Sequence, residues 1–261
     1  MGILNVTPDS FSDGGCFLRL EDAVRRALAM EAQGAAVIDV GGESTRPGAP
    51  EVGLEEELER VIPVIEALQK VLKVPISVDT SKPEVMREAV AAGAGLINDV
   101  NALRAEGAVE TAAELGVPVC LMHMQGTPRT MQQAPAYEDV VAEVKSFFEE
   151  RMRACAEAGI PRERLLLDPG FGFGKTLEHN LALLRNLGAF TLLGRPLLVG
   201  LSRKSMLGAI TGRETGGRLA ASLAAAVLAV ERGALLVRVH DVAETVDALR
   251  VAMAVTKGEE R

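Results

Sequence analysis

The sequence predicts a single (β/α)8 (TIM) barrel spanning residues 1–261. Three observations carry the prediction. About eight short apolar runs alternate with longer stretches of helical period. The runs are almost continuously apolar, which suits strands in a sheet covered by helices. The length suits one such barrel, with no linker-like shift in composition and no low-complexity segment. An open doubly wound sheet of similar length has the same periodicity and stays open at this point.

The elements follow in chain order. Gly2–Val6 (GILNV) reads as the first strand, and a helical pattern covers about 21–33, with Gly34 where a C-cap would stand. After the strand Ala36–Val40, the segment Leu54–Leu72 puts Leu54, Leu58, Val61, Ile62, Ile65 and Leu68 on one helical face, with Pro63 expected to kink it. Ile76–Val78 precedes a helix over 83–92 and Gly93; Gly95–Ile97 precedes a helix over 105–115 and Gly116. Val117–Met122 leads to Val140–Cys155, where Val140, Val144, Phe147, Phe148 and Met152 share a face. Leu165–Leu167 and a helix over 177–187 follow, then Leu197–Val199, an apolar stretch Ala221–Val230 that reads as a buried helix, Ala234–Val239, and a helix over 242–256.

Composition excludes several classes. With 48% hydrophobic and 25% charged residues the chain is neither disordered nor collagen-like. The balance of 28 basic against 36 acidic residues leaves a net charge of −8, so neither nucleic acid nor an anionic membrane is an expected partner. An anionic substrate must then be held by a local cluster of cations. Three cysteines, Cys16, Cys120 and Cys155, show no metal-binding spacing and suit a reducing cytoplasm. No leader pattern opens the chain, and no apolar run reaches the roughly 18 residues that span a bilayer.

In a barrel, the site is built at the C-terminal ends of the strands. Those positions here are polar: Asn5, Asp39, Asp79, Asn98 and Asp99, His123, Asp168, Ser202 to Ser205, and Arg238 with His240. GFGFGKT at 170–176 imitates a phosphate loop but fails, because Pro169 stands where the pattern needs its first glycine and has no N–H to offer. No dinucleotide fingerprint, H-E-x-x-H or G-x-S-x-G is present. Asp9 and Asp13 resemble the start of a calcium loop, but Phe11 sits between them where an oxygen is required. What remains is chemistry for two kinds of group. Asp79, Asp168 and Asn98 suit a heterocycle offering adjacent N–H donors, such as a 2-amino-4-oxo pyrimidine edge. Arg46, Arg203, Lys204, Arg238 and His240 suit a multiply charged anion.

In order along the chain, GILNVTPDSFSDGG (2–15), DVGGESTRPGA (39–49), SVDT (77–80), IND (97–99), HMQGTP (123–128), DPGFGFGKT (168–176), GLSRKS (200–205) and RVHDV (238–242) make a sequence that resembles the dihydropteroate synthase family. The resemblance implies condensation of 4-aminobenzoate with 6-hydroxymethyl-7,8-dihydropterin diphosphate. It implies that Asn5 coordinates a magnesium ion (Mg2+) bridging the diphosphate. It places Asp79, Asn98, Asp168 and Lys204 on the pterin, with Asp39 at its deep edge and Met122 and Phe173 lining the pocket. Thr45, Arg238 and His240 would hold the diphosphate, and Phe11, Pro47, Lys204 and Ser205 would bound the aminobenzoate pocket. Asp13 would lie on the first loop, and loops 7–15 and 43–53 read as lids. Asn5, Lys204, Arg238 and His240 would carry the catalytic load. His123 reads as a structural hydrogen-bonding residue, His179 as a surface helix residue, and Cys16 has no assigned role. The resemblance also implies a homodimer. One departure is that the chain opens almost inside the first strand, where family members usually carry a segment closing the barrel's bottom; this is expected to bear on stability and not on the site.

Two other readings are weighed. A pterin-binding methyltransferase barrel would use a similar carboxylate and carboxamide pocket but has no need of SRKS, RVHD and STRPG together. A catalytically silent pterin binder would not need Asn5, Arg238 and His240.

Overall fold

Eight parallel strands hydrogen-bond in strict sequence order: β1 (Gly2–Asn5), β2 (Ile38–Gly41), β3 (Ile76–Asp79), β4 (Leu96–Asp99), β5 (Val119–Met122), β6 (Leu165–Asp168), β7 (Leu197–Val199) and β8 (Ala234–Val237). The structure, a computed structural model, describes residues 1–7, 16–44, 48–127 and 130–256. The circle closes beyond β8. Gly2 bridges Val239, the Ile3 amide donates to the Val239 carbonyl at 3.0 Å, and the Val239 amide donates to that of Met1 at 2.9 Å. That closure decides for the barrel and against the open sheet.

The helices are α1 (Cys16–Ala32), α2 (Leu54–Gln69), α3 (Pro83–Ala91), α4 (Ala108–Leu115), α5 (Val140–Glu157), α6 (Leu177–Arg185), α7 (Gly188–Thr191), α8 (Ser205–Thr211), α9 (Leu219–Glu231) and α10 (Val242–Thr256). Pro63 lies inside a helix that runs on through it. The pattern over 177–187 runs two residues past α6, because Asn186 leaves helical geometry after Arg185, and a separate short helix, α7, starts only at Gly188. Gly116 caps α4 in the left-handed conformation that a side chain resists. Among the described residues, no helix is long and apolar enough to cross a membrane.

Strand alternation sorts the interior into two cores. Outward residues such as Val40, Val78, Ile97, Leu121 and Leu167 pack with helix residues Met30, Ile65, Met86, Phe148 and Phe190. Each such burial contributes about 1.5–3 kcal/mol. Inward residues Leu96, Cys120 and Leu198, with Leu166 and Leu236 beside them, form a small separate plug in the barrel. Cys120 and Cys155 are buried free thiols. The inward positions one step further along β2, β3, β4 and β6 are polar, and they lie above the plug.

Candidate active site

Four of those inward positions are Asp39, Asp79, Asn98 and Asp168, none more than 8% exposed. Apolar periodicity alone stops β3, β4 and β6 one or two residues early, yet these polar ends belong to the strands. Pairing puts Asp79 beside Asn98 and Met122 beside Asp168. The Asn98 amide donates to Asp39 Oδ2 at 3.2 Å. Arg238, just after β8, donates from Nε to Asp39 Oδ2 at 2.5 Å and from Nη2 to Asp79 Oδ2 at 2.6 Å. Asp39 Oδ1, Asp79 Oδ1 and the neighbouring Ser77 Oγ are buried with no protein partner. A buried carboxylate oxygen left unpaired is costly, so this set is built to accept N–H donors from something else.

Burial pushes the Asp79 carboxyl up, opposed by Arg238. Burial also raises Asp168, to about 6, against the Gly170 amide and the nearby Lys204 and Lys175. Burial alone would lower Arg238, but Asp39 and Asp79 outweigh it and raise it.

The segment after β6 is folded around Lys175. This side chain is 3% exposed, and its ammonium reaches His123 Nδ1 at 2.9 Å, the Gly170 carbonyl at 2.9 Å and the Phe173 carbonyl at 3.0 Å. Its Nζ also lies 3.4 Å from the His123 carbonyl, and burial lowers its pKa to about 7. Burial, aided by Lys175 and Arg104, holds His123 down to about 2. His123 is therefore a buried, neutral, structural hydrogen-bonding residue, as expected. The backbone comes so close that a Cβ on Gly170 would sit 1.9 Å from the His123 carbonyl oxygen, and one on Gly174 2.5 Å from that of Gln125. Those glycines serve close approach and left-handed turns, and no phosphate cradle results. Lys175 is the residue that motif comparison undervalues: its failed phosphate-loop pattern is a buried anchor for Asp168, whose Oδ1 accepts the Gly170 amide at 2.8 Å, and for Phe173.

Phe173 and Met122 pack together with Met124 and Met131. Lys204 completes that wall, its Nζ 4.2 Å from the Phe173 ring centroid. Asn5 ends β1, and Ser205 is the exposed first residue of α8. His240 Nδ1 lies 3.0 Å from Ser202 Oγ. Phe11, Asp13, Thr45, Arg46 and Pro47 lie outside the described residues, as do most of the first loop and the centre of the second.

Two of the candidate polar residues are engaged elsewhere. Asp99 faces outward and ties the next turn, accepting the amides of Asn101 and Leu103, each at 2.7 Å, and the Ser81 hydroxyl. Arg203, grouped with the anion-holding cations on sequence grounds, pairs with Asp241 through Nε at 3.0 Å and through Nη2. His179 does more than face solvent: its amide donates to Thr176 Oγ1, its Nδ1 accepts the Thr176 amide, and the pair caps α6. A contact not foreseen joins Lys82 to Glu43 at 2.6 Å and to the buried Glu57.

The family model for pterin binding enzymes matches residues 1–240. The dihydropteroate synthase of Escherichia coli K12 is 59% identical over 260 residues, covering 100% of this chain and 92% of that one. The chain belongs to the dihydropteroate synthase family. Solved dihydropteroate synthases agree in fold: the Xanthomonas albilineans enzyme with 4-aminobenzoic acid is 58% identical with a TM-score of 0.93, and the same enzyme with 7,8-dihydropteroate is 56% identical with a TM-score of 0.90. Each covers 98% of this chain and 92% of its own. Dihydropteroate synthases are transferases that take small-molecule substrates.

Proposed function

We propose that this chain condenses 6-hydroxymethyl-7,8-dihydropterin diphosphate with 4-aminobenzoate. A bond forms between the arylamine nitrogen and the exocyclic methylene of the pterin, the carbon–oxygen bond to diphosphate breaks, and the nitrogen loses a proton. The observation that carries this reading is the inward set Asp39, Asp79, Asn98 and Asp168 with Arg238, because two of its carboxylates keep a buried oxygen without a protein donor. A 2-amino-4-oxo pyrimidine edge supplies adjacent N–H donors to such acceptors. Met122, Phe173 and the Lys204 stem offer the faces of the heterocycle an apolar wall.

Arg238 is already bound to the pterin-side carboxylates, so it links that pocket to the diphosphate side, where His240, Thr45 and Arg46 would act. Ser205, at the first turn of α8, and Lys204 would meet the aminobenzoate, with Phe11 and Pro47 bounding it and Asp13 on the adjoining loop. The attacking arylamine is neutral at pH 7, so no strong general base is required. Lys204, Arg238 and His240 then act on charge, stabilising the departing diphosphate.

Magnesium fits this site on donor chemistry. Asn5 offers a neutral carboxamide at the end of β1, and among the described residues no group of three His, Cys, Asp or Glu competes for a cation. Magnesium is commonly held by few protein oxygens together with substrate phosphates. When bound it would neutralise charge on the leaving group.

The test mixes protein, pterin diphosphate, aminobenzoate and magnesium and follows diphosphate release; folded protein that releases none overturns the reading. Chelating magnesium is expected to stop release, and undiminished turnover would remove the ion from the scheme. Pterin binding is also expected to weaken below about pH 6. Protonation turns the Asp168 acceptor into a donor, so affinity holds above its raised value and falls by up to about tenfold per pH unit beneath it. Calorimetric titration from pH 8 to pH 5 checks this, and a flat profile would contradict the role of Asp168.

A second copy of the chain is the proposed partner, and the reaction is placed in the cytoplasm. Support for the dimer is the exposure of Ile210 on α8, Leu228 on α9 and Val251 and Val255 on α10, outer helices in which α9 packs against both others. Sedimentation at micromolar concentration should show a dimer; a monomer would exclude it.

A further inference from the structure

We infer that Arg203 and Asp241 are positioning residues that hold Lys204 and His240 in working geometry, by carrying the pairing of β7 with β8 beyond the point where the backbone ladder ends. The inference rests on the synthase reading, and adds to it two residues that touch neither substrate.

The need for such a device comes from the strands. β7 has three residues, and its register with β8 shifts between Leu197 and Leu198. The last backbone bond across this seam is the Arg238 amide to the Val199 carbonyl, at 2.8 Å. Beyond it both chains leave the sheet, and both carry proposed active-site side chains, Lys204 on one and His240 on the other.

Side chains then replace the ladder, residue against residue. Ser202 Oγ accepts the His240 amide at 3.2 Å and meets His240 Nδ1 at 3.0 Å. Ser202 Oγ thus engages both the backbone amide and the ring of His240, which orients the imidazole. One residue further on, Arg203 grips Asp241 in two-pronged geometry through Nε and Nη2.

Arg203 accepts a backbone cost to do this. Its φ is +58°, a left-handed conformation that is unfavourable for a non-glycine residue. Its surroundings enforce that conformation: the Arg203 amide donates to Ser222 Oγ at 2.9 Å, and its carbonyl accepts Arg218 Nη1 at 3.0 Å. The turn aims the guanidinium at Asp241 and sends the next residue, Lys204, to the Phe173 ring. A residue chosen for the turn alone would be glycine or asparagine, so the arginine points to the ion pair as the reason.

The test uses the full chain in the diphosphate-release assay, with Arg203→Gly, Asp241→Asn, their combination and Arg203→Lys. Glycine removes the pair while relieving the left-handed strain, so the urea midpoint is expected to stay near wild type. Turnover is expected to fall about 10–100-fold in kcat, with KM for aminobenzoate changed less than threefold. The double variant should be no worse than the worse single one, since both break one contact. Arg203→Lys, which can restore one prong, should recover part of the loss.

Unchanged kcat in an active background, additive losses, or a urea midpoint that falls in step with activity would each overturn the inference. A wild-type chain that releases no diphosphate overturns the synthase reading and this inference with it. Active wild type with indifferent variants overturns the inference alone.

Discussion

Replacing Arg238 with methionine is expected to lower the unfolding free energy by about 3–5 kcal/mol and to abolish turnover. Methionine keeps the apolar stem and much of the volume, so the change isolates the guanidinium. That group partners both Asp39 and Asp79, each of which already has a buried oxygen without a protein donor. Removing one side of a buried ion pair leaves the other as an uncompensated charge, which is far worse than replacing both.

The pH dependence identifies the cause. Burial holds the Asp79 carboxyl above its value in the unfolded chain, and Arg238 opposes that rise. A carboxyl raised in the folded state contributes stability while it is protonated and loses it as pH rises through the folded value. Without Arg238 the rise is larger, so the gap between variant and wild type should be wider at pH 8 than at pH 5. Urea denaturation at both pH values measures it; a gap below about 1 kcal/mol at pH 8 would show that the pair contributes little to the fold.

The second large effect concerns Asp168, where binding and stability are expected to move in opposite directions. Asparagine retains an oxygen for the Gly170 amide, so the anchored segment after β6 should persist. The carboxylate that would accept two pterin N–H groups is lost, and an amide donor would face a donor on the ligand. Pterin affinity should fall by about 3 kcal/mol or more, roughly 100-fold or more. The fold should gain. Ionising a carboxyl that burial has raised to about 6 from 3.8 costs the folded state about 3 kcal/mol at neutral pH, and a neutral amide avoids that cost. Raised thermal stability with lost pterin binding, both at pH 7, is the expected pair of results. Unchanged affinity would remove Asp168 from the pocket, and a gain in stability that persisted at pH 4 would assign it to something other than the charge.

Most of the fold was legible because alternation of short apolar runs with helical periods is a local property. All eight strands and the principal helices could be placed, and Gly34, Gly93 and Gly116 marked helix ends that the left-handed backbone bears out. Strand ends were less legible. An apolar criterion stops at the first polar residue, whereas Asp79, Asp99 and Asp168 remain in the ladder because the hydrogen bonds belong to the backbone. The same adjacency hid the difference between Asn98 and Asp99. Alternation sends one into the barrel and the other to the turn below α4, and only a fixed register says which.

Composition, period and an ordered set of motifs determined the barrel, the family and the polar character of its strand ends, since each of these is written in neighbouring residues. The tertiary structure decided the pairings among residues far apart in the chain. Arg238 meets Asp39 and Asp79 across 199 and 159 positions, Lys175 meets His123 across 52, and Arg203 meets Asp241 across 38. No local pattern encodes which cation a buried carboxylate will find. Barrel closure sets it by bringing β8 beside β1, and the dry interior then makes each pairing expensive to leave unmade.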